Sequence, residues 1–315
     1  MAFFSVIIPL YNKENHIEQT LRSVLNQSFT DFEVIIIEDC STDNSKKKAE
    51  TMLSEKIKII QHEYNKGLSA TRNTGIENAS SNFLAFLDAD DIWHENYLEK
   101  IVQLIQNFPT AHLFATNYFE AYSNKVAVRP ASNLKNFDTD GIVPDFFESN
   151  IHQNIYCPSS LCVKKEVFEK IGGYNPNINY GEDVDFNIRA NSLFQLAYSS
   201  LPLVSNIMFS ENKITNGSLK NKNITNFELY EPLADANKSL KKYLDINRYM
   251  MASNYKKEYD LENWRKLKKG IHKNPELSGL NLKQRILLEL PPFALRFILK
   301  LKLFLLKKGI RISSF

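Results

Sequence analysis

The chain has 315 residues, of which 43% are hydrophobic, 24% charged and 12% aromatic; this gives room for about two domains and excludes disordered, collagenous and fibrous classes. Its 39 Lys/Arg and 36 Asp/Glu leave a net charge of +3, too small for a chain that binds nucleic acid along its whole length. The balance is uneven, because residues 281–315 hold eight Lys/Arg against one Glu while the rest is net acidic.

The opening MAFFSVIIPLYNK lacks a charged leader and its apolar run stops at Pro9, so it reads as a first strand rather than an export signal. Further short apolar runs follow at 33–38 (EVIIIE), 57–61 (IKIIQ), 83–87 (FLAFL) and 112–116 (HLFAT), the first two β-branched and each too short for an ordinary helix. Between them Ile17, Leu21, Val24 and Leu25 recur at helical spacing, Ser45 to Leu53 follows Asp43, and Tyr97 to Ile105 follows an acidic DADD cluster. Alternating strands and amphipathic helices predict an α/β domain of βα units around a mostly parallel sheet, Rossmann-like over residues 1–117. From 121 to 155, Pro130, Pro144 and many Asn and Asp predict loops and a short β-ribbon of the kind that walls a substrate pocket. A strand is expected at 159–165, a short helix at 166–174 ended by Gly172-Gly173, and another helix at 183–193 behind a glycine and two acids. Beyond 225 the pattern is helical and basic. Three cysteines, Cys40, Cys157 and Cys162, form neither a disulfide framework nor a metal pair and fit a reducing cytoplasm.

Ligands of open α/β sheets bind beyond the carboxyl ends of the strands. There the sequence places Pro9, Tyr11 and Asn12 after the first strand, Glu38, Asp39 and Cys40 after the second, Arg72 after the third, and Asp88, Asp90 and Asp91 after the fourth. One acid suffices to cap a helix, but DADD supplies three, and carboxylate oxygens suit a hard cation whose other ligands come from phosphate. The EDCSTDNS turn reads equally as a helix cap, yet a carboxylate fixed at Asp39 can accept the imide N–H of a pyrimidine while Tyr11 stacks on its face. Arg72 serves either a scaffold ion pair or a phosphate. GEDVDF, residues 181–186, is either a favourable acidic helix start or the source of a general base.

Taken together, SVIIPLYNKENHIEQTLRSVLNQSFTDFEVIIIEDCSTDNS, NKGLSATRNTGI, FLAFLDADDIW and IGGYNPNINYGEDVDFNIR, in this order and spacing, resemble glycosyltransferase family 2, inverting enzymes of the GT-A fold, over about residues 3–210. The resemblance implies a GT-A domain with a mixed, mostly parallel central sheet, a nucleotide-diphosphate sugar donor, a Mn²⁺ or Mg²⁺ ion on its phosphates, and inversion at the sugar on transfer to a hydroxyl. It implies that Pro9, Tyr11, Asp39, Arg72 and Asp88 bind the nucleotide, that Asp90 ligates the metal, and that Asp183 is the catalytic base with Glu182 beside it. Two departures stand out: Cys40 occupies a position often held by glycine, and MFSENKITNGSL lacks a histidine that many relatives carry about thirty residues beyond the base.

The domain expectation is a catalytic unit over 1–225, with a nucleotide half (1–117) and an acceptor half (118–225), and a helical extension over 226–315. In the extension, FALRFILKLKLFLLKK sets Arg296, Lys300 and Lys307 on one side of a helix and Leu, Ile and Phe on the other. With WRKLKK at 264–269 this predicts peripheral contact with an anionic membrane, or else docking on protein; charges and Pro291-Pro292 interrupt any membrane span. A lipid-linked or other saccharide acceptor at the inner face of the cytoplasmic membrane follows, with UDP the favoured carrier and cell-surface polysaccharide or glycolipid the product. Two alternatives compete. A sugar-nucleotide pyrophosphorylase calls for a glycine-rich loop that PLYNKENH lacks, and a decayed, non-catalytic membrane module conflicts with the retention of Asp39, Asp88, Asp90 and Asp183.

Overall fold

The β-branched runs of the first half become the centre of one sheet in the computed structural model, which describes residues 2–130, 133–134, 137, 139–213 and 217–307. In chain order the elements are β1 (Phe4–Leu10), α1 (Ile17–Leu25), β2 (Phe32–Glu38), α2 (Ser45–Glu50), β3 (Ile57–Gln61), α3 (Leu68–Asn78), β4 (Phe83–Phe86), β5 (Ile92–Trp93), α4 (Tyr97–Asn107), β6 (Leu113–Ser123), β7 (Val126–Val128) and β8 (Asp140–Ile142). There follow α5 (Phe146–Ser149), β9 (Leu161–Lys164), α6 (Lys165–Ile171), α7 (Glu182–Asn191), β10 (Leu196–Ile207), and the helices α8 (Glu231–Ala234), α9 (Lys238–Lys257), α10 (Leu261–Gly270), α11 (Pro275–Ser278), α12 (Leu282–Glu289) and α13 (Pro292–Lys307).

The strand order is β3-β2-β1-β4-β9-β6-β10-β5. β1, β2, β3 and β4 run parallel, as do β6 and β10, while β9 is antiparallel between β4 and β6. The sheet is therefore mixed. All of β1 is buried because both its faces are covered. Val6, Ile8, Val34 and Ile36 pack with Leu21, Val24 and Leu98 on one side; Ile7, Ile35 and Ile37 pack with Ile76, Val184 and Ile188 on the other. From β1 the chain winds outward through β2 to β3, then returns to pair β4 on the opposite edge of β1. That reversal is a topological switch point. β1 pairs with β2 as far as Leu10 but with β4 only as far as Ile7, so β1 and β4 diverge and a crevice opens at their carboxyl ends. Pro9, which has no N–H to give, lies just past the point of divergence.

Several elements differ from the sequence expectation. α3 is absent from that expectation because its Thr and Gly residues carry no apolar period; Gly75 is there because a Cβ would come 2.3 Å from Ile7 Cγ2 on β1. β10 is absent too, since Pro202 breaks its alternation and shifts its register against β6, itself longer than expected. The strand expected from 159 starts at Leu161, because Pro158–Ser160 form a 3₁₀ turn that points Ser159 inward. The ribbon expected in 121–155 is β7 on β6 and β8 on β10.

The basic extension packs a small cluster of its own, Ile246, Tyr249, Ala252, Leu280 and Leu288 with Ile151, and also shares the core of the sheet. Leu240, Tyr243, Leu244, Met251 and Tyr255 of α9 share the cluster that holds Ile35, Phe86 and Val184, so one core runs across the sequence boundary at 225. Among the described residues no helix is long and apolar enough to cross a membrane. Lys308 and Arg311 of the basic tail, and the side chain of Lys307, lie outside what is described.

Candidate active site

At the β2 end of the crevice the backbone turns sharply. Cys40 has φ +60°, so the residue in the glycine's place does adopt the left-handed conformation that glycine favours. Glu38 holds the turn by accepting from Cys40 N at 3.2 Å and Ser41 N at 2.5 Å. Asp39 is 3% exposed and is fixed from three directions. Its Oδ1 lies 2.7 Å from His62 Nδ1 and accepts from Lys66 N at 2.8 Å; its Oδ2 accepts from Gly67 N at 2.9 Å. His62 is held in turn by Thr74 Oγ1, 2.9 Å from Nε2. Two carboxylate oxygens offer about four acceptor positions, so one on Oδ2 is left for a ligand. Tyr11 stands beside this on the rim, 42% exposed. His62 is not among the residues the sequence singles out; its place at the end of β3 is the available signal.

The β4 end carries the acids, and each has a separate task. Asp91 is fully buried and accepts from Ser159 Oγ (2.5 Å), Asn206 Nδ2 (2.8 Å) and Ile207 N (2.9 Å), which clips the DADD loop to β10. Burial pushes its carboxyl up to about 7. Asp90 is 4% exposed; its Oδ2 accepts from Lys13 Nζ at 2.8 Å and from Ser210 Oγ. Burial opposes its charge, but Lys13 and Lys213 outweigh that and hold it below the usual carboxylate range. Asp88 is more open, with a side chain 28% exposed and Oδ1 2.9 Å from Arg72.

Arg72 lies at the centre of these acids. Its guanidinium is 1% exposed and wedged between carboxylates, NH2 on Asp88 Oδ1 and NH1 on Glu182 Oε1 at 2.7 Å, with the Tyr174 ring 5.1 Å away. It ties the β4 acids to the start of α7, and among the described residues its buried Nε has no hydrogen-bond partner. Glu182 lies inward with it. It is 7% exposed and pairs with Arg72, which leaves Asp183 as the carboxylate of that pair nearer solvent. Asp183 follows Gly181, whose φ of +70° turns the chain into α7. Burial, then the neighbouring Glu182 charge, raise its carboxyl to about 6; Arg72 and the backbone N–H of Val184 pull the other way. A carboxylate with that value is ionised at neutral pH and still basic enough to take a proton.

Among the described residues no three His, Cys, Asp or Glu side chains gather as a self-sufficient metal site. Asp88 Oδ2 and Asp90 Oδ1 are nevertheless free of hydrogen bonds there, and two carboxylate oxygens fit a Mg²⁺-like ion whose remaining ligands are phosphate and water. In the segment that lacks a histidine, Ser210 and Lys213 face the acids instead. Lys13, Ser159 and Ser210 join the site through the fold alone, with no signal in the sequence pattern.

A sequence model described as glycosyl transferase family 2 matches residues 5–172. The chain is 40% identical over 101 residues to the Escherichia coli UDP-Glc:alpha-D-GlcNAc-diphosphoundecaprenol beta-1,3-glucosyltransferase WfgD, covering 32% of this chain and 40% of that protein. It is 38% identical over 112 residues to the Bacillus subtilis (strain 168) putative teichuronic acid biosynthesis glycosyltransferase TuaG, covering 35% and 44%. The matches thus span less than half the length of either relative. Among solved structures, S. aureus TarS 1–349 in complex with UDP-GlcNAc superimposes with a TM-score of 0.69 at 20% identity, over 97% of this chain and 92% of that one, which identifies the fold as GT-A.

Proposed function

The chain belongs to glycosyltransferase family 2, and from that premise we propose that it transfers a sugar from a nucleotide-diphosphate donor, most fittingly a UDP-sugar, to an acceptor hydroxyl with inversion. What supports this reading is the set of groups at the carboxyl ends of the central strands and the start of α7: Asp39 with an acceptor position free, Asp88 and Asp90 with open oxygens, and Asp183, a carboxylate raised to about 6, beside the Glu182 that Arg72 links to Asp88.

In the proposed reaction, Oδ2 of Asp39 accepts the imide N–H of the base while Tyr11 covers its face and Pro9 shapes the wall. Asp88 receives the ribose. Asp88 Oδ2 and Asp90 Oδ1 would hold Mn²⁺ or Mg²⁺, which supplies positive charge to the departing diphosphate. Asp183 takes the proton of the attacking hydroxyl, and attack from the face opposite the diphosphate gives a single inversion. Arg72 keeps the two halves in register by joining Asp88 to Glu182, next to the base. We assign the nucleotide to residues 1–117 and the acceptor to 118–225. The UDP donors and the diphosphoundecaprenol and teichuronic acid chemistry in the names of the relatives support a UDP-sugar and a lipid-linked or cell-surface saccharide acceptor.

The tail fits such an acceptor. Phe293, Phe297, Leu301, Leu303 and Phe304 of α13 and Leu282 and Ile286 of α12 are exposed, an apolar surface set among Lys and Arg, which supports peripheral binding at the inner face of an anionic membrane. The test of the donor is thermal stabilisation by UDP, GDP, dTDP or CDP with and without Mn²⁺. A metal-dependent shift with UDP is expected; folded protein that ignores all four would overturn the reading. For the tail, flotation with anionic liposomes is expected for the full chain and lost on replacing Phe293, Phe297 and Phe304 by Ser.

A further inference from the structure

Every acid of the DADD loop already has a cation within reach. Arg72 is on Asp88, Lys13 on Asp90, and Lys213 lies close enough to act on both Asp90 and Asp91. Their attachments differ. Arg72 is locked between two carboxylates and a ring. Lys213 donates to Asn206 Oδ1 and to the Ile207 carbonyl, which ties it to the β10 backbone. Lys13 comes from the loop after β1, the crevice side, and its ammonium makes two bonds, 2.8 Å to Asp90 Oδ2 and 2.7 Å to the Glu211 carbonyl. An ammonium has three N–H donors, so one is left over. Its stem is flexible and 11% exposed, and a lysine is a compact point charge that can change partners.

Resting on the family reading above, we propose that Lys13 is the built-in counter-ion of Asp90: it stands where a divalent cation would neutralise that carboxylate, and it yields Asp90 to the cation when a diphosphate arrives to take the ammonium. Metal and nucleotide would then bind as a coupled pair. The ion alone competes against a tethered positive charge, whereas the diphosphate offers that charge a new partner. Coupling of this kind is reciprocal, so each ligand tightens the other by the same factor. The Ser210 hydroxyl and the Glu211 carbonyl make the same contact set a tether for the 208–213 loop, and Asn15 Nδ2 adds a bond to Glu211 Oε2 at 2.9 Å. Moving Lys13 would therefore also free one strap of that loop.

The experiment is Mn²⁺ binding to the full chain, read by electron paramagnetic resonance without any turnover, for wild type, Lys13→Met and Lys13→Arg. The decisive arm is the ion alone. Removing the competing charge is expected to tighten Mn²⁺ by about tenfold or more in Lys13→Met, while Lys13→Arg, which keeps the charge, stays near wild type. Adding UDP is expected to tighten Mn²⁺ strongly in wild type and much less in Lys13→Met. Equal or weaker Mn²⁺ affinity in folded Lys13→Met without nucleotide would overturn the proposal. So would an Arg variant that behaves like Met, because the effect would then come from lysine's packing and not its charge. UDP binding, measured separately by thermal shift, tests the donor reading; its failure leaves the ion-alone comparison standing, so the two failures are distinguishable.

Discussion

Asp183→Asn is expected to do two opposite things at once, remove activity and raise stability. The carboxyl rises from an ordinary 3.8 to about 6 in the folded chain, because burial and then the Glu182 charge disfavour its ionised form. Two pH units at 1.36 kcal/mol each make the folded protein carry a penalty of at most about 3 kcal/mol at neutral pH, and solvent access to the side chain reduces it to about 1–2 kcal/mol. The sign follows from proton binding. Between about 4 and 6 the folded chain holds more protons at this site than the unfolded chain, so the contribution of Asp183 to stability falls as pH rises and stays at its lowest above 6. Asn has no charge to bury. At about pH 8 the variant should therefore melt higher, by roughly 2–4 °C for each kcal/mol gained, and its advantage should vanish near pH 4. Transfer, followed as release of the nucleotide diphosphate, should fall by about 10²–10⁴-fold with donor affinity kept, and the wild-type rate should lose about tenfold from pH 7 to pH 5. An Asn variant that is destabilised at pH 8, or a wild-type acid limb near pH 4, would refute the reasoning, since either means the site does not strain its carboxylate.

Other perturbations follow from the same contacts. Arg72→Met leaves Asp88 and Glu182 unpaired around a buried gap, so it should lower stability by about 3–5 kcal/mol in urea titration and, in whatever folds, move the acid limb of the rate upward, because Arg72 is what pulls Asp183 down. Gly75→Ala forces a Cβ to 2.3 Å from Ile7 Cγ2 and should cost about 1–3 kcal/mol, measured as a lower urea midpoint at unchanged slope. The free position on Asp39 Oδ2 suits a ring N–H donor, so the wild type should be stabilised more by UDP than by CDP, whose ring N3 carries no proton and which can offer only its exocyclic amine; Asp39→Asn should erase that preference in a thermal-shift panel.

The first four strands are legible in the sequence because they are short apolar runs with no competing helical period, β1 and β2 β-branched and buried along almost their whole length. β10 and α3 are not, for opposite reasons: Pro202 interrupts one, and Gly75 and the Thr residues dilute the apolar face of the other, where close packing on β1 decides the structure instead of propensity. The acids of the site are legible as residue types at strand ends. Their partners are not. Arg72 reads as well for a phosphate as for a scaffold pair, and only the fold, which brings Glu182 from 110 positions away, reveals the bridge it makes.

That bridge explains why the acids of GEDVDF divide their work although they sit side by side. Glu182 and Asp183 start the same helix, behind a glycine that holds φ at +70°, and the turn sends one carboxylate inward to Arg72 while its neighbour stays nearer solvent. The inward one shares Arg72 with Asp88, and its own negative charge adds to burial in raising Asp183 toward the range where a base is useful. A single buried arginine thus connects the acid expected at the ribose with the immediate neighbour of the acid expected to act as base. Glu182→Gln is the cleanest probe of this link, because the amide oxygen can still accept from Arg72. Losing the charge should lower the acid limb of the rate toward that of an ordinary carboxylate while transfer at about pH 8 persists. A limb that stays near pH 6 would mean that burial alone sets the base and that Glu182 does no more than hold Arg72.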